Sequence, residues 1–113
     1  MKLERRVVAG YPVVGLVEPR QIVVKNCNEF SKAFLALLEG DDVTVIFDAA
    51  GVRFLDSAGL GTLLRLQKRQ QANGGDLVVA GLSRPVMEVF RMVGFDIVFP
   101  TYADVDEAVL SLG

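Results

Sequence analysis

The stretch VTVIFDAAGVRFLDSAGLG, residues 43–61, decides the fold. Its opening, Val43 to Phe47, is a short β-branched and aromatic run, the pattern of a buried strand. A loop from Asp48 to Asp56 follows. Ser57 then begins a helix reaching about Asn73, with Leu60, Leu63, Leu64 and, at its margin, Gln67 on one stripe. Gly74 stands just past its end, where a left-handed cap residue is expected.

The same alternation continues downstream. Asp76 to Leu82 reads as a strand. Ser83 can cap the next helix and Pro85 suits its first turn. Val86, Val89, Phe90 and Val93 give that helix an apolar face, and Gly94 stops it. Ile97-Val98-Phe99 reads as a third strand, ended by Pro100. The last helix opens at Asp104, with Glu107 at capping-box spacing, and carries Val105, Ala108, Val109 and Leu112 on one stripe. Repeated strand–helix units predict an α/β fold with a largely parallel sheet and right-handed crossovers.

Upstream, Glu4–Val8 and Pro12–Val17 read as strands, a hairpin turned near Gly10-Tyr11. Gln21–Asn26 fits neither period. Asn26 or Asn28 can cap a helix running to about Glu39, with Phe30, Phe34, Leu35, Leu37 and Leu38 as its apolar set. Gly40-Asp41-Asp42 turns the chain into Val43. There is no internal repeat, low-complexity stretch or linker, so residues 1–113 are read as one domain.

Composition narrows the function classes. At 113 residues and 51% apolar content a real core can form, burying roughly two-thirds of the unfolded surface. A net charge of −2 argues against a nucleic-acid partner. The basic clusters Arg5-Arg6 and Arg65, Lys68, Arg69 read as solvated faces. Cys27 is the one cysteine, so no internal disulfide forms. It reads as a small packed residue rather than a reactive thiol. The absence of histidine removes the commonest general base and metal ligand. No apolar run approaches the roughly 20 residues of a membrane span, and MKLERR does not open a signal peptide. The expectation is a cytoplasmic protein with no membrane partner, no cofactor, no metal and no catalytic residue.

The loop into the second helix needs explaining. Asp56 and Ser57 stand where an N-cap belongs, and Gly59 and Gly61 each cost up to about 1 kcal/mol relative to alanine in the helix. Glycines there leave a bare surface around Ser57 or let the helix pack closely on the sheet. A serine at a helix N-terminus is a favourable place for a phosphate, because free N–H groups and the helix dipole both attract an anion. It is equally a plain cap. Asp48 and Asp56 read as turn and cap residues. The segment lacks the Lys-Ser/Thr ending of a phosphate loop and the three glycines of a dinucleotide site. Gly81-Leu82-Ser83 lacks the second glycine of a nucleophile elbow. An enzyme or nucleotide-binding protein is therefore disfavoured.

Residues 46–61 resemble the signature of the STAS domain family, the bacterial anti-sigma factor antagonists: Gly-Val-x-Phe-Ile/Leu-Asp-Ser-Ser/Thr/Ala-Gly-Leu-Gly between a strand and a helix. Residues 73–82, 85–95 and 102–112 resemble the segments that follow in the family. The resemblance covers about residues 28–113. It implies a mixed, mostly parallel sheet of four or five strands with about four helices. It also implies a partner switch in transcriptional signalling: Ser57, after Asp56, would be phosphorylated by an anti-sigma factor that is a serine kinase and dephosphorylated by a PP2C-type phosphatase. Asp56, Ser57, Ala58, Gly59, Leu60 and Gly61 would form the partner-binding segment. The alternative is a STAS scaffold subunit of a transport or sensory complex, without phosphorylation. One departure stands upstream. In Arg20-Gln21-Ile22-Val23, valine occupies the place where family members often carry aspartate.

Overall fold

The structure, a computed structural model, describes all residues 1–113. A five-stranded sheet is built from β1 (Lys2–Val8), β2 (Tyr11–Glu18), β4 (Thr44–Asp48), β6 (Asp76–Ala80) and β7 (Thr101–Tyr102), in the order β1-β2-β4-β6-β7. β1 and β2 pair antiparallel and the other neighbours pair parallel. A second, two-stranded parallel ribbon joins β3 (Gln21–Ile22) to β5 (Phe54–Leu55). The helices are α1 (Cys27–Ala36), α2 (Ser57–Ala72), α3 (Arg84–Met92), α4 (Phe95–Val98) and α5 (Val105–Leu112).

The hairpin turns at Ala9 and Gly10, both at positive φ (50° and 85°), between paired Val8 and Tyr11. Two such residues give the turn a twist that matches the flanking strands. The parallel strands are buried on both faces, so their side chains divide by alternation. Val45, Phe47, Leu77 and Val79 point into one core with Phe30, Phe34, Leu63, Leu66, Val86 and Phe90. Ile46, Val78 and Ala80 point into a smaller core beneath Val105 and Ala108 of α5. Phe30, Phe34 and Phe47 pack with ring centroids 5.7–6.0 Å apart.

Three expectations are corrected. Ile97–Phe99 is not a strand: the chain forms the short helix α4, and the last strand is Thr101–Tyr102. In a strand Ile97 and Phe99 would share a face, yet Ile97 is 88% exposed and Phe99 fully buried. Helical phase places Phe95 and Phe99 together against Phe90, with centroids 5.4–5.7 Å apart. The expected α/β fold with a mixed, mostly parallel sheet stands, with α4 as a short additional helix. Helix α1 ends at Ala36, not Glu39: the Leu37 carbonyl is taken by the Arg5 guanidinium at 2.9 Å, and the next turns tighten to Phe34 and Leu35. Arg5 and Arg6 are not merely solvated. Arg5 also bonds Asp42 at 2.6 Å, and Arg6 pairs with Asp48 at 3.3 Å.

α2 is bolted to the sheet by two buried amides on its inner face. Gln67 accepts the Leu77 N–H at 2.7 Å and donates to the Leu77 and Val98 carbonyls. Gln70 donates to the Asp42 and Val43 carbonyls, each at 2.9 Å. The C-terminal half of α2 is thereby held against the start of β6 and the residues just before β4.

Candidate functional site at the N-terminus of α2

Asp56 caps α2 from an extended backbone (φ −93°, ψ −176°). One carboxylate oxygen accepts the Gly59 N–H at 2.8 Å and the other accepts the Val24 N–H at 2.8 Å. The first bond, and then the second, hold its carboxyl below the ordinary carboxylate range. Asp56 therefore caps the helix and clamps the β3–α1 turn beside it.

Ser57 is the first residue of α2 and is exposed. Its hydroxyl takes part in none of the chain's side-chain hydrogen bonds. It sits at the positive end of a sixteen-residue helix, where an anion is favoured by about 0.3–1 kcal/mol at an exposed position. The hydroxyl is thus free to be modified without breaking an internal contact.

The other signature residues divide. Ala58, Leu60 and Gly61 are half-buried; Gly59 is buried. A Cβ on Gly59 would overlap the Ile22 carbonyl oxygen and lie 2.8 Å from the Ile22 carbonyl carbon, so glycine is needed for the close approach of α2 to β3. A Cβ on Gly61 would meet only Arg65 Nη1 at 3.5 Å, so that position faces open space. Of the two readings open for the glycines, close packing describes Gly59 and a bare surface describes Gly61. Thr62, buried one turn on, donates to the Ala58 carbonyl at 2.9 Å.

Val23 is half-buried, and its N–H donates to Asn26 Oδ1 at 2.9 Å. Asn26 also donates to the Gln21 carbonyl at 3.0 Å, which fixes the turn before α1. Val24 is 73% exposed. An apolar side chain, Val23, therefore stands where an aspartate was the expectation, and the next residue reaches the site through its backbone N–H on Asp56. Val24 and Ile22 were not legible as site residues, because they act through backbone groups that reach α2 across the ribbon.

No helix is long and apolar enough to cross a membrane. Glu39, Asp41 and Asp42 bring carboxylate oxygens within 4.8 Å of one another. Asp42 already accepts from Arg5 and the Glu39 N–H, so these residues read as a structural ion-pair cluster.

Residues 7–108 match the family model described as STAS domain. The chain is 29% identical over 75 residues to BtrV of Bordetella bronchiseptica, a protein named as a candidate anti-sigma factor antagonist. That match spans 66% of this chain and 65% of the relative's length. The fold superposes on an anti-sigma factor antagonist (STAS) domain protein from Planctomyces limnophilus with a TM-score of 0.85 at 24% identity, covering 96% of each chain. It also superposes on the murine anion transporter Slc26a9, TM-score 0.79 at 22% identity, covering 91% of this chain and 18% of the transporter.

Proposed function

The chain belongs to the STAS domain family, and from that premise we propose that it is an anti-sigma factor antagonist whose affinity for its partner is set by phosphate on Ser57. The observation that carries the reading is the exposed, unpartnered Ser57 hydroxyl at the start of α2, beside a carboxylate locked by two backbone N–H groups. The partner is an anti-sigma factor with serine kinase activity, a PP2C-type phosphatase resets the switch, and the chain itself performs no catalysis. The name of the Bordetella relative supports the same reading.

Phosphate at Ser57 adds about −1.5 to −2 charges at neutral pH. Within the chain the helix dipole offsets part of that charge, and Asp56 opposes it. Gln67 and Gln70 hold α2 to the sheet well away from this turn, so the fold stays as it is. At an interface, a desolvated and unpaired charge costs roughly 3–5 kcal/mol. About 3 kcal/mol already weakens binding more than a hundredfold. The switch acts on partner affinity, not on the fold.

A second reading keeps the fold without phosphorylation, as a scaffold within a transport or sensory assembly. The likeness to part of the anion transporter and the valine at position 23 favour it. Incubation with the serine kinase and ATP, followed by phosphate mapping by mass spectrometry, separates the two. Phosphate on Ser57, lost in Ser57→Ala, supports the switch; an unmodified Ser57 sinks it and leaves the scaffold.

A further inference from the structure

One edge of the sheet is open along its length. β1 spans seven residues, carries no proline and has β2 as its only strand partner. Pro12 of β2 stands opposite Val7, and with no N–H it cannot exchange a pair of ladder bonds there. Bonded and unbonded pairs alternate along an antiparallel ladder. Leu3, Arg5 and Val7, opposite Leu16, Val14 and Pro12, therefore all turn their N–H and C=O groups away from β2. No turn or loop backbone group pairs with them. A row of unpaired backbone groups of this kind is a template for another strand. We propose that the strand it accepts is β1 of a second copy of this chain, added antiparallel about a two-fold axis at Arg5.

The side chains select that occupant and its register. With Arg5 opposite Arg5, Glu4 of each copy lies opposite Arg6 of the other, and Leu3 lies opposite Val7. Each match occurs twice by symmetry. Glu4 and Arg6 are exposed, and Glu4 has no ion-pair partner within its own chain. They fall at unbonded positions of the new ladder, where Cα atoms approach to about 4.5 Å and facing side chains are closest. Val7, 60% exposed in the single chain, is covered by Leu3 of the other copy. Arg5 meets its own symmetry mate, but each guanidinium is already turned onto Asp42 at 2.6 Å and the Leu37 carbonyl at 2.9 Å of its own chain.

Other registers lose the match. Because the outward backbone groups recur at every second residue, the second copy can slip only by two residues. One slip sets Glu4 against Glu4 and Lys2 against Arg6; the other sets Arg6 against Arg6. Like charges directly opposite are destabilising. The matched register joins the two five-stranded sheets into one continuous sheet. A contact one strand wide is at the small end of specific interfaces, so the association is concentration-dependent. No residue of Asp56–Gly61 lies on β1, and the pairing stands apart from the reading of Ser57.

Sedimentation equilibrium of the intact chain, from micromolar to millimolar concentration, tests this. The parent should pass from monomer to dimer. Val7→Pro removes an N–H that the β1–β2 ladder does not use, and proline is tolerated at such an edge. It should weaken self-association at least about tenfold while the circular dichroism spectrum stays that of the parent. Glu4→Arg alone and Arg6→Glu alone each put like charges opposite at both positions and should also weaken it about tenfold. Mixed one to one, these two variants are charge-matched at both positions, and the mixture should associate at least about tenfold more tightly than either alone. A parent that stays monomeric at millimolar concentration overturns the proposal and leaves the edge to a strand of another protein. A dimer that tolerates Val7→Pro, or a mixture no tighter than its components, overturns it as well.

Discussion

Replacing Gly59 by alanine puts a methyl group against a backbone carbonyl that cannot move aside. The new Cβ would overlap Ile22 O, lie 2.8 Å from Ile22 C and 3.2 Å from Leu55 Cδ2. Ile22 is fully buried and paired with Leu55 across the β3–β5 ribbon, and its carbonyl accepts the Asp56 N–H at 3.4 Å. Relief requires the first turn of α2 to retreat, which strains the Asp56 bond to Val24. Overpacking of this kind costs about 1–3 kcal/mol, and a rigid backbone obstacle puts it at the upper end. Alanine returns about 1 kcal/mol of helix propensity, leaving a net loss of about 2 kcal/mol. Unfolding entropy near 2.1 cal/mol/K per residue then gives a fall in Tm of roughly 8 °C for 113 residues. Gly61→Ala is the matched control: its Cβ meets only the tip of Arg65, so the propensity gain stands alone and Tm rises by up to roughly 4 °C. Differential scanning calorimetry of the pair decides the matter. A Gly59→Ala protein as stable as the parent, or two variants shifting in the same direction, would refute the packing argument.

Two further perturbations test the frame around the site. Gln67→Met preserves volume but strands the Leu77 N–H and the Leu77 and Val98 carbonyls in the interior; at about 1–3 kcal/mol per buried unsatisfied group, denaturant unfolding should show a loss of at least about 2 kcal/mol. Asp56→Asn should destabilise the chain at neutral pH, because an amide cannot accept both the Gly59 and Val24 N–H groups. The Asp56 pKa is lowered by those two bonds, so its contribution is present above the ordinary carboxylate pKa and disappears as pH falls through the folded value. Thermal midpoints of parent and Asp56→Asn should therefore converge in acid, and a gap that persists at low pH would contradict the account.

Much of the fold was legible because it is written in local patterns. The run at Val43–Phe47, the N-caps at Asp56 and Asp104, and the left-handed glycines at 74 and 94 (φ 87° and 79°) all stand as the pattern predicts. What was not legible depends on partners distant in sequence. The run at residues 97–99 is too short for periodicity to separate strand from helix; Phe90, whose ring receives Phe95 and Phe99, decides it. β3 is two residues long and exists only because β5 pairs with it. The site shows the same division. The cap role of Asp56 follows from its place before a helix, but its second bond, to Val24, reaches 32 residues back along the chain. Gly59 and Gly61 look alike in sequence, and only the Ile22 carbonyl tells them apart.

The most direct test of the central claim is the affinity of the anti-sigma factor kinase for the chain with and without phosphate on Ser57. Isothermal titration of the two forms, with the modification verified by mass spectrometry and the fold by circular dichroism, should show binding weakened more than a hundredfold by phosphate while the spectra coincide. Equal affinities for the two forms would contradict the account.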